Sequence, residues 1–240
     1  MPPDLNYNGS LSDALLSLAR ILLVDQTVDQ THDAVARLAH ETIPGCDAAS
    51  ITVIEVGRPR TSASTSALAW DVDQRQYGSD QGPCLDAIRL QTAVRVDSFA
   101  SETRWPELSP AALGHGARSS LSLPLLAGDE PVGALNLYSR IEAGLVAAEG
   151  GGYRFATQAA ITLANATALH RAQELAHHLS IALERRDVIG QAKGILMAQG
   201  GLSPEEAFDV LRRASQRSNR KLHDLATEMV ERRSAEGSAK

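Results

Sequence analysis

Apolar side chains at Leu11, Ala14, Leu15, Leu18, Ile21 and Leu22 return every three or four positions, which predicts a helix over residues 11–23 with Ser10 as its N-cap. A second helix is predicted over residues 30–42, stopping before Pro44 and Gly45. The period then changes. Residues 49–56 (ASITVIEV) alternate and are rich in β-branched side chains, the pattern of a strand. A turn at residues 57–59 leads to a Ser/Thr-rich strand predicted from about 60 to 70. Gln81-Gly-Pro83 opens a short helix holding Cys84, Leu85 and Ile88; residues 94–96 form a small strand and residues 105–113 a short helix. Two further strands, 118–126 and 131–139, flank a turn at 127–130. This order predicts an α+β domain, an antiparallel sheet with helices packed on one face.

From residue 147 to 183 the pattern is helical, with Gly150-Gly-Gly152 as an expected interruption. A period of 3.5 selects Ile161, Asn165, Ala168, Ala172, Leu175, Leu179 and Ala182, then Arg186 and Ile189. That is a coiled-coil-like dimerisation seam with one register-fixing Asn. An alanine-rich face lying on the sheet is the other reading, and periodicity leaves both open. Three short helices follow. The first, 185–199, carries Ile189, Ala192, Ile195 and Leu196 and ends at Gly200-Gly201. Ser203-Pro-Glu-Glu206 is a capping box with Pro at the first helical position. It opens a helix expected to bury Ala207, Phe208, Val210, Leu211 and Ala214. After Ser215-Gln-Arg-Ser-Asn219, a third helix packs with Leu222, Leu225, Ala226, Met229 and Val230. The expected organisation is a flexible N-terminus (1–10), a sheet domain (11–155), a helical connector (156–183), a three-helix unit (184–234) and a flexible C-terminus (235–240).

Charge sharpens this division. The chain of 240 residues has a formal net charge of −6, which argues against indiscriminate coating of nucleic acid. Residues 1–183 hold 12 arginines, no lysine and 20 acids, whereas residues 184–240 hold 11 bases and 9 acids. A run without acids covers residues 211–223. Arg212, Arg213 and Arg217 near the end of the second short helix suit its dipole. Arg220 and Lys221 crowd the start of the third, where cations are unfavourable unless an anion such as a phosphate arrives. Ser215, Ser218 and Asn219 add short polar groups beside them, so this segment is the candidate nucleic-acid reader. Gly194 costs a helix interior about 1 kcal/mol, and close helix packing is its expected reason. Lys193 beside it reads equally as a solvated residue or as one that reaches a nucleic acid or an acid on the third helix.

The remaining chemistry is sparse. Two cysteines, Cys46 and Cys84, are too few for a disulfide scaffold and suit a reducing compartment. The N-terminus has no signal-peptide pattern and no apolar run approaches a membrane span, so a soluble cytoplasmic protein is expected. Cys84 could be a redox or tetrapyrrole-attaching thiol, but a buried structural cysteine is the expectation. His170, His177 and His178 do not share one helix face, and no metal site is expected. No G-x-S-x-G or Walker-type loop and no nucleophile–base pair is visible, so no catalytic residue is assigned. Trp70 and Trp105 are expected in the core or a pocket wall. The sequence specifies no cofactor.

Two resemblances add to this reading. Gln191-Ala-Lys-Gly-Ile-Leu-Met197, Ala207-Phe208, Leu211-Arg212 and Ser215 through Leu222 closely resemble the ANTAR domain, a three-helix RNA-binding output module of bacterial antitermination regulators. The resemblance implies a homodimer that binds paired hairpins with hexanucleotide loops in a nascent transcript, and so acts as a transcription antiterminator. Lys193, Arg212, Arg213, Ser215, Arg217, Ser218, Asn219, Arg220 and Lys221 would be its RNA-binding residues. With Phe208 expected in the core, recognition should lean on hydrogen bonds and charge rather than stacking. More faintly, Asp80 through Ile88, Ala117 through Leu125 and Val132 through Tyr138 resemble phrases of a GAF domain, a small-molecule or interaction sensor. The implied fold is a GAF-like antiparallel sheet with helices, a long connector and a three-helix ANTAR bundle. A small-molecule ligand in the front domain, a DNA-binding role and an ANTAR-type action on translation stay open.

Overall fold

The computed structural model describes residues 5–21 and 27–238. It divides into two compact units, residues 1–170 and 171–240. In the first, helices α1 (Leu5–Ile21) and α2 (Val28–Thr42) precede a hairpin of strands β1 (Ala48–Glu55) and β2 (Arg58–Ser64). Helix α1 starts six residues ahead of the expected position; residues 22–23 of the predicted helix lie outside the described residues. Thr27 caps α2 through a capping box with Gln30. The hairpin turns at Val56 and Gly57, both at positive φ, which matches the right-handed twist of the flanking strands.

Helices α3 (Ala67–Ser79) and α4 (Pro83–Leu90), strand β3 (Val94–Val96) and helix α5 (Leu108–Gly114) follow, then strands β4 (Ser119–Ala127) and β5 (Glu130–Ser139). The expected strand reaching residue 70 therefore stops at Ser64, and α3 begins three residues later. Trp70 lies on α3 and is 46% exposed, outside the core where it was expected.

The five strands form one antiparallel sheet in the order β2-β1-β5-β4-β3. Its two faces differ in chemistry. One face presents Ala49 and Ile51 from β1, Leu121, Leu123 and Leu125 from β4, and Leu135 and Leu137 from β5. These pack against Leu18 of α1, Val35 and Ala39 of α2, and Phe155, Ala159 and Leu163 of the long helix α6 (Glu149–Gly200). The other face is covered by α3, α4 and α5, through Leu68, Val72, Ala87, Leu108 and Ala112. Helices thus cover both faces rather than one, and the sheet is buried on each side.

Helix α6 continues through Gly150, Gly151 and Gly152, where an interruption was expected. Packing explains part of this: a Cβ at Gly152 would stand 3.1 Å from Leu123 Cδ1, so the glycine lets the helix lie close on the sheet. The helix also runs without a break into the segment predicted as a separate helix, 185–199, and ends where Gly201 adopts positive φ. The second unit is completed by α7 (Pro204–Ser218) and α8 (Leu222–Ser238). No helix among the described residues is long and apolar enough to cross a membrane.

Candidate nucleic-acid interface

The second unit has a thin core. Ala192 of α6, Leu211 of α7 and Ala226 of α8 are fully buried, with Val188, Ile189, Leu196, Leu222, Met229 and Val230 partly buried around them. Between the helices lies a groove of about 290 Å³ floored by Ile195, Leu211, Ala214, Leu225 and Met229. Helix α7 is fixed at its start by the predicted capping box: Ser203 Oγ accepts from Glu206 N at 3.3 Å, and Glu206 accepts from Ser203 N at 2.8 Å. It ends at Asn219 in the left-handed region (φ 50), a conformation that Asn tolerates better than most residues.

The turn that follows carries the basic segment. Arg220 and Lys221 precede α8, and the Lys221 carbonyl accepts from Leu225 N at 3.3 Å. Ser215 Oγ donates to the Arg220 carbonyl at 2.5 Å, tying the last turn of α7 to the chain after it. Ser218 Oγ donates back to Ala214 O at 2.8 Å. These serines, exposed or half-buried, therefore shape the turn as well as lying on it.

The cations divide into paired and unpaired. Arg212 donates to Asp209 Oδ1 at 2.8 Å, and Arg220 Nη1 to Glu228 Oε2 at 2.8 Å, with Arg232 on the other oxygen of Glu228. The Arg220 guanidinium holds the Glu228 carboxyl below its ordinary range. The anion expected to offset Arg220 at the α8 start is thus supplied by the protein itself. Arg213, Arg217 and Lys221 are exposed and have no ion pair among the described residues. Counterions hold them in solution, and a phosphate would release those ions.

Two residues stand differently from expectation. Phe208, assigned to the core, is 41% exposed, and the Lys193 ammonium lies 6.0 Å from its ring centroid. Gly194 has no packing reason: a Cβ there would meet nothing within 4 Å. Along α6, the predicted seam residues Ile161, Asn165, Ala168, Ala172, Leu175, Leu179 and Ala182 are all exposed, with Leu175 at 60%.

In the first unit, the sheet face under α3–α5 is buried and polar. Neighbouring strands place Ser50 and Thr52 of β1, Asn136 and Tyr138 of β5, and Ser120 and Ser122 of β4 side by side. Asp73 of α3 enters this face, wholly buried. It accepts from Tyr138 OH at 2.5 Å, Thr61 Oγ1 at 2.9 Å and Asn136 Nδ2 at 3.3 Å. Burial pushes its carboxyl up to about 6, against the pull of those donors. Tyr77 OH bridges Thr61 and Thr52, and Cys84 Sγ donates to Thr52 Oγ1 at 3.2 Å. Ser120 Oγ, Ser122 Oγ and Asn136 Oδ1 are buried without a hydrogen-bond partner among the described residues. Burial pushes both thiols up to about 12, so neither Cys46 nor Cys84 is a thiolate at neutral pH. Trp105 is buried, as expected, with Nε1 donating to Asp86 at 3.1 Å. No group of three or more His, Cys, Asp or Glu among the described residues could hold a metal ion.

This polar face was not foreseen. Its sequence signal is the alternation of Ser50/Thr52 and Ser120/Ser122 with large apolar residues, a pattern that suggests a solvated face.

Comparison with known proteins agrees with both units. Residues 25–184 match the GAF domain family and residues 177–230 the ANTAR domain family. No curated protein matches the chain. Among solved structures, the chain is similar to the GAF domain of a phosphoenolpyruvate-protein phosphotransferase from Coxiella burnetii. That match has 16% identity and a TM-score of 0.52, and covers 68% of this chain and 97% of that one. A GAF domain from A. aeolicus, in an inactive state, matches at 10% identity and TM-score 0.52, over 65% of this chain and 96% of that one. Free methionine-R-sulfoxide reductase from Neisseria meningitidis matches at 13% identity and TM-score 0.52, over 68% and 91%. At these identities the likeness is one of fold.

Proposed function

The chain belongs to the GAF domain family and carries an ANTAR domain after it, and from that premise we propose that it is a transcription antiterminator that binds paired RNA hairpins as a homodimer. Both domains are regulatory, and the ANTAR domain is an RNA-binding one. The observation that carries the reading is the α7–α8 turn. Arg213, Arg217 and Lys221 are exposed there with no ion pair among the described residues, next to Ser218 and Asn219, on a backbone held by Ser215. RNA loops offer unstacked bases and phosphates to such short polar and basic groups.

The dimer rests on α6. A row of exposed leucines, Leu169, Leu175, Leu179 and Leu183, lies along one helix together with the small residues of the seam, and a second copy is the partner that buries it. The GAF domain is the input. A signal reaching its buried polar face would act on α6, whose first turns pack on the opposite face of the same sheet. The test is a titration of the intact chain with RNA of two stem-loops, one stem-loop and duplex DNA, alongside sedimentation. Tight binding confined to two-stem RNA, by a dimer, supports the proposal. Equal affinity for duplex DNA, or a monomer at binding concentrations, overturns it.

A further inference from the structure

We propose that Phe208 and Lys193 form a subsite for one unpaired RNA base, the ring stacking on the base and the ammonium meeting its flanking phosphate. This rests on the RNA-binding reading above and adds to it a contact of a different kind. Phe208 is the one exposed large apolar side chain among the described residues from 184 to 233, where the three helices pack on one another. Its neighbour Ala207 is fully buried. A ring left at 41% exposure forgoes much of the burial that a core this thin could use.

The surroundings of the ring indicate what would cover it. The Lys193 ammonium stands 6.0 Å from the centroid. Arg212, one helical turn further along α7, is held in place by Asp209. The steps from Phe208 to Arg212, Ser215 and Asn219 are four, three and four residues, so all four lie on one strip of α7. The strip runs roughly 16 Å, from the ring to the helix cap beside Arg220 and Lys221. An apolar protein surface docking on Phe208 would have to desolvate Lys193 and Arg212, which is costly. A nucleotide suits the site better: its base supplies a π face to the ring and its phosphate a negative charge to the Lys193 ammonium.

The test uses the intact chain and RNA of two stem-loops with hexanucleotide loops, together with a series bearing one abasic nucleotide at each loop position. Phe208→Leu keeps apolar volume and removes the π face; Phe208→Trp restores it. Phe208→Leu is expected to weaken binding about tenfold, and Phe208→Trp to keep it within about twofold of wild type. One abasic position should weaken wild-type binding by a similar factor and leave Phe208→Leu no weaker than before. The subsite is overturned if Phe208→Leu binds like wild type, or loses affinity with no loop position coupled to it. A change in sedimentation for Phe208→Leu would make the ring a subunit contact and overturn it too. If wild type fails to bind any stem-loop RNA, the functional reading itself falls and takes the subsite with it.

Discussion

Arg220 and Glu228 meet at 2.8 Å across the start of α8, so the residue that heads the basic segment is already ion-paired within the chain. Lys221, next to it, is not. RNA affinity should therefore depend on the two unequally. Lys221→Ala is expected to weaken hairpin binding about three- to tenfold and to lower the salt slope by about one. Glu228→Gln frees the guanidinium and should tighten binding a fewfold while steepening the same slope. Filter-binding titrations at several salt concentrations check both. An unchanged slope in Lys221→Ala would remove that residue from the interface.

Asp73 predicts a pH dependence for the first unit. Its folded value, about 6, lies above the ordinary 3.8, so the folded state holds the proton more tightly. Its contribution to stability is then complete below about pH 4 and lost as pH rises through 6, by at most about 3 kcal/mol. His32, which burial pulls below its ordinary 6.5, acts in the opposite sense as pH falls. The difference between wild type and Asp73→Asn isolates the carboxyl. Urea unfolding from pH 4 to 8 should show that difference sloping between 4 and 6 and level above 7.

The exposed leucines of α6 predict an assembly. Leu175→Asp with Leu179→Asp places charge in the middle of the stripe and should shift sedimentation from dimer to monomer at micromolar concentration. Two-stem RNA binding should fall much further than single-stem binding, because only the former needs both copies. The near-ultraviolet signal of Trp105, buried in the first unit, should stay the same.

Gly194 predicts a separation of stability from function. With open space around it, Gly194→Ala should raise the helix stability of the second unit by about 1 kcal/mol in a thermal melt. If the bare surface serves close approach of RNA, the same variant binds hairpins more weakly. A gain in stability with unchanged affinity would leave the glycine without that role.

The strands were readable because each is a short alternating or β-branched run bounded by turn residues, and β3, β4 and β5 fall within a residue of their predicted ends. Helix α3 was not. Its buried side is Leu68, Ala69, Val72, Asp73 and Gln76, and two of those five are polar, so hydrophobic periodicity passes over it. Phe208 misled for the reverse reason. It sits between the buried Ala207 and Leu211 in sequence, but one position from Ala207 is about 100° around the helix, enough to carry the ring to the edge of the core. The Arg220–Glu228 pair spans eight residues and a helix start, so no spacing rule for a single helix anticipates it. The basic segment itself was legible, because missing acids and cations at a helix start are properties of sequence alone.

The hydroxyl row under α3 has a direction. Thr61 gives its proton to Asp73, so it must accept from Tyr77, and Tyr77 must in turn accept from Thr52. At the far end Thr52 already accepts from Asn136 at 2.9 Å and Cys84 at 3.2 Å, which fills both lone pairs of its oxygen. Reversing the row would ask that oxygen to take a third donor and would strand its own proton. The thiol of Cys84 thus acts as a ratchet pawl, keeping three hydroxyl side chains from β1, β2 and α3 pointing the same way toward one carboxylate.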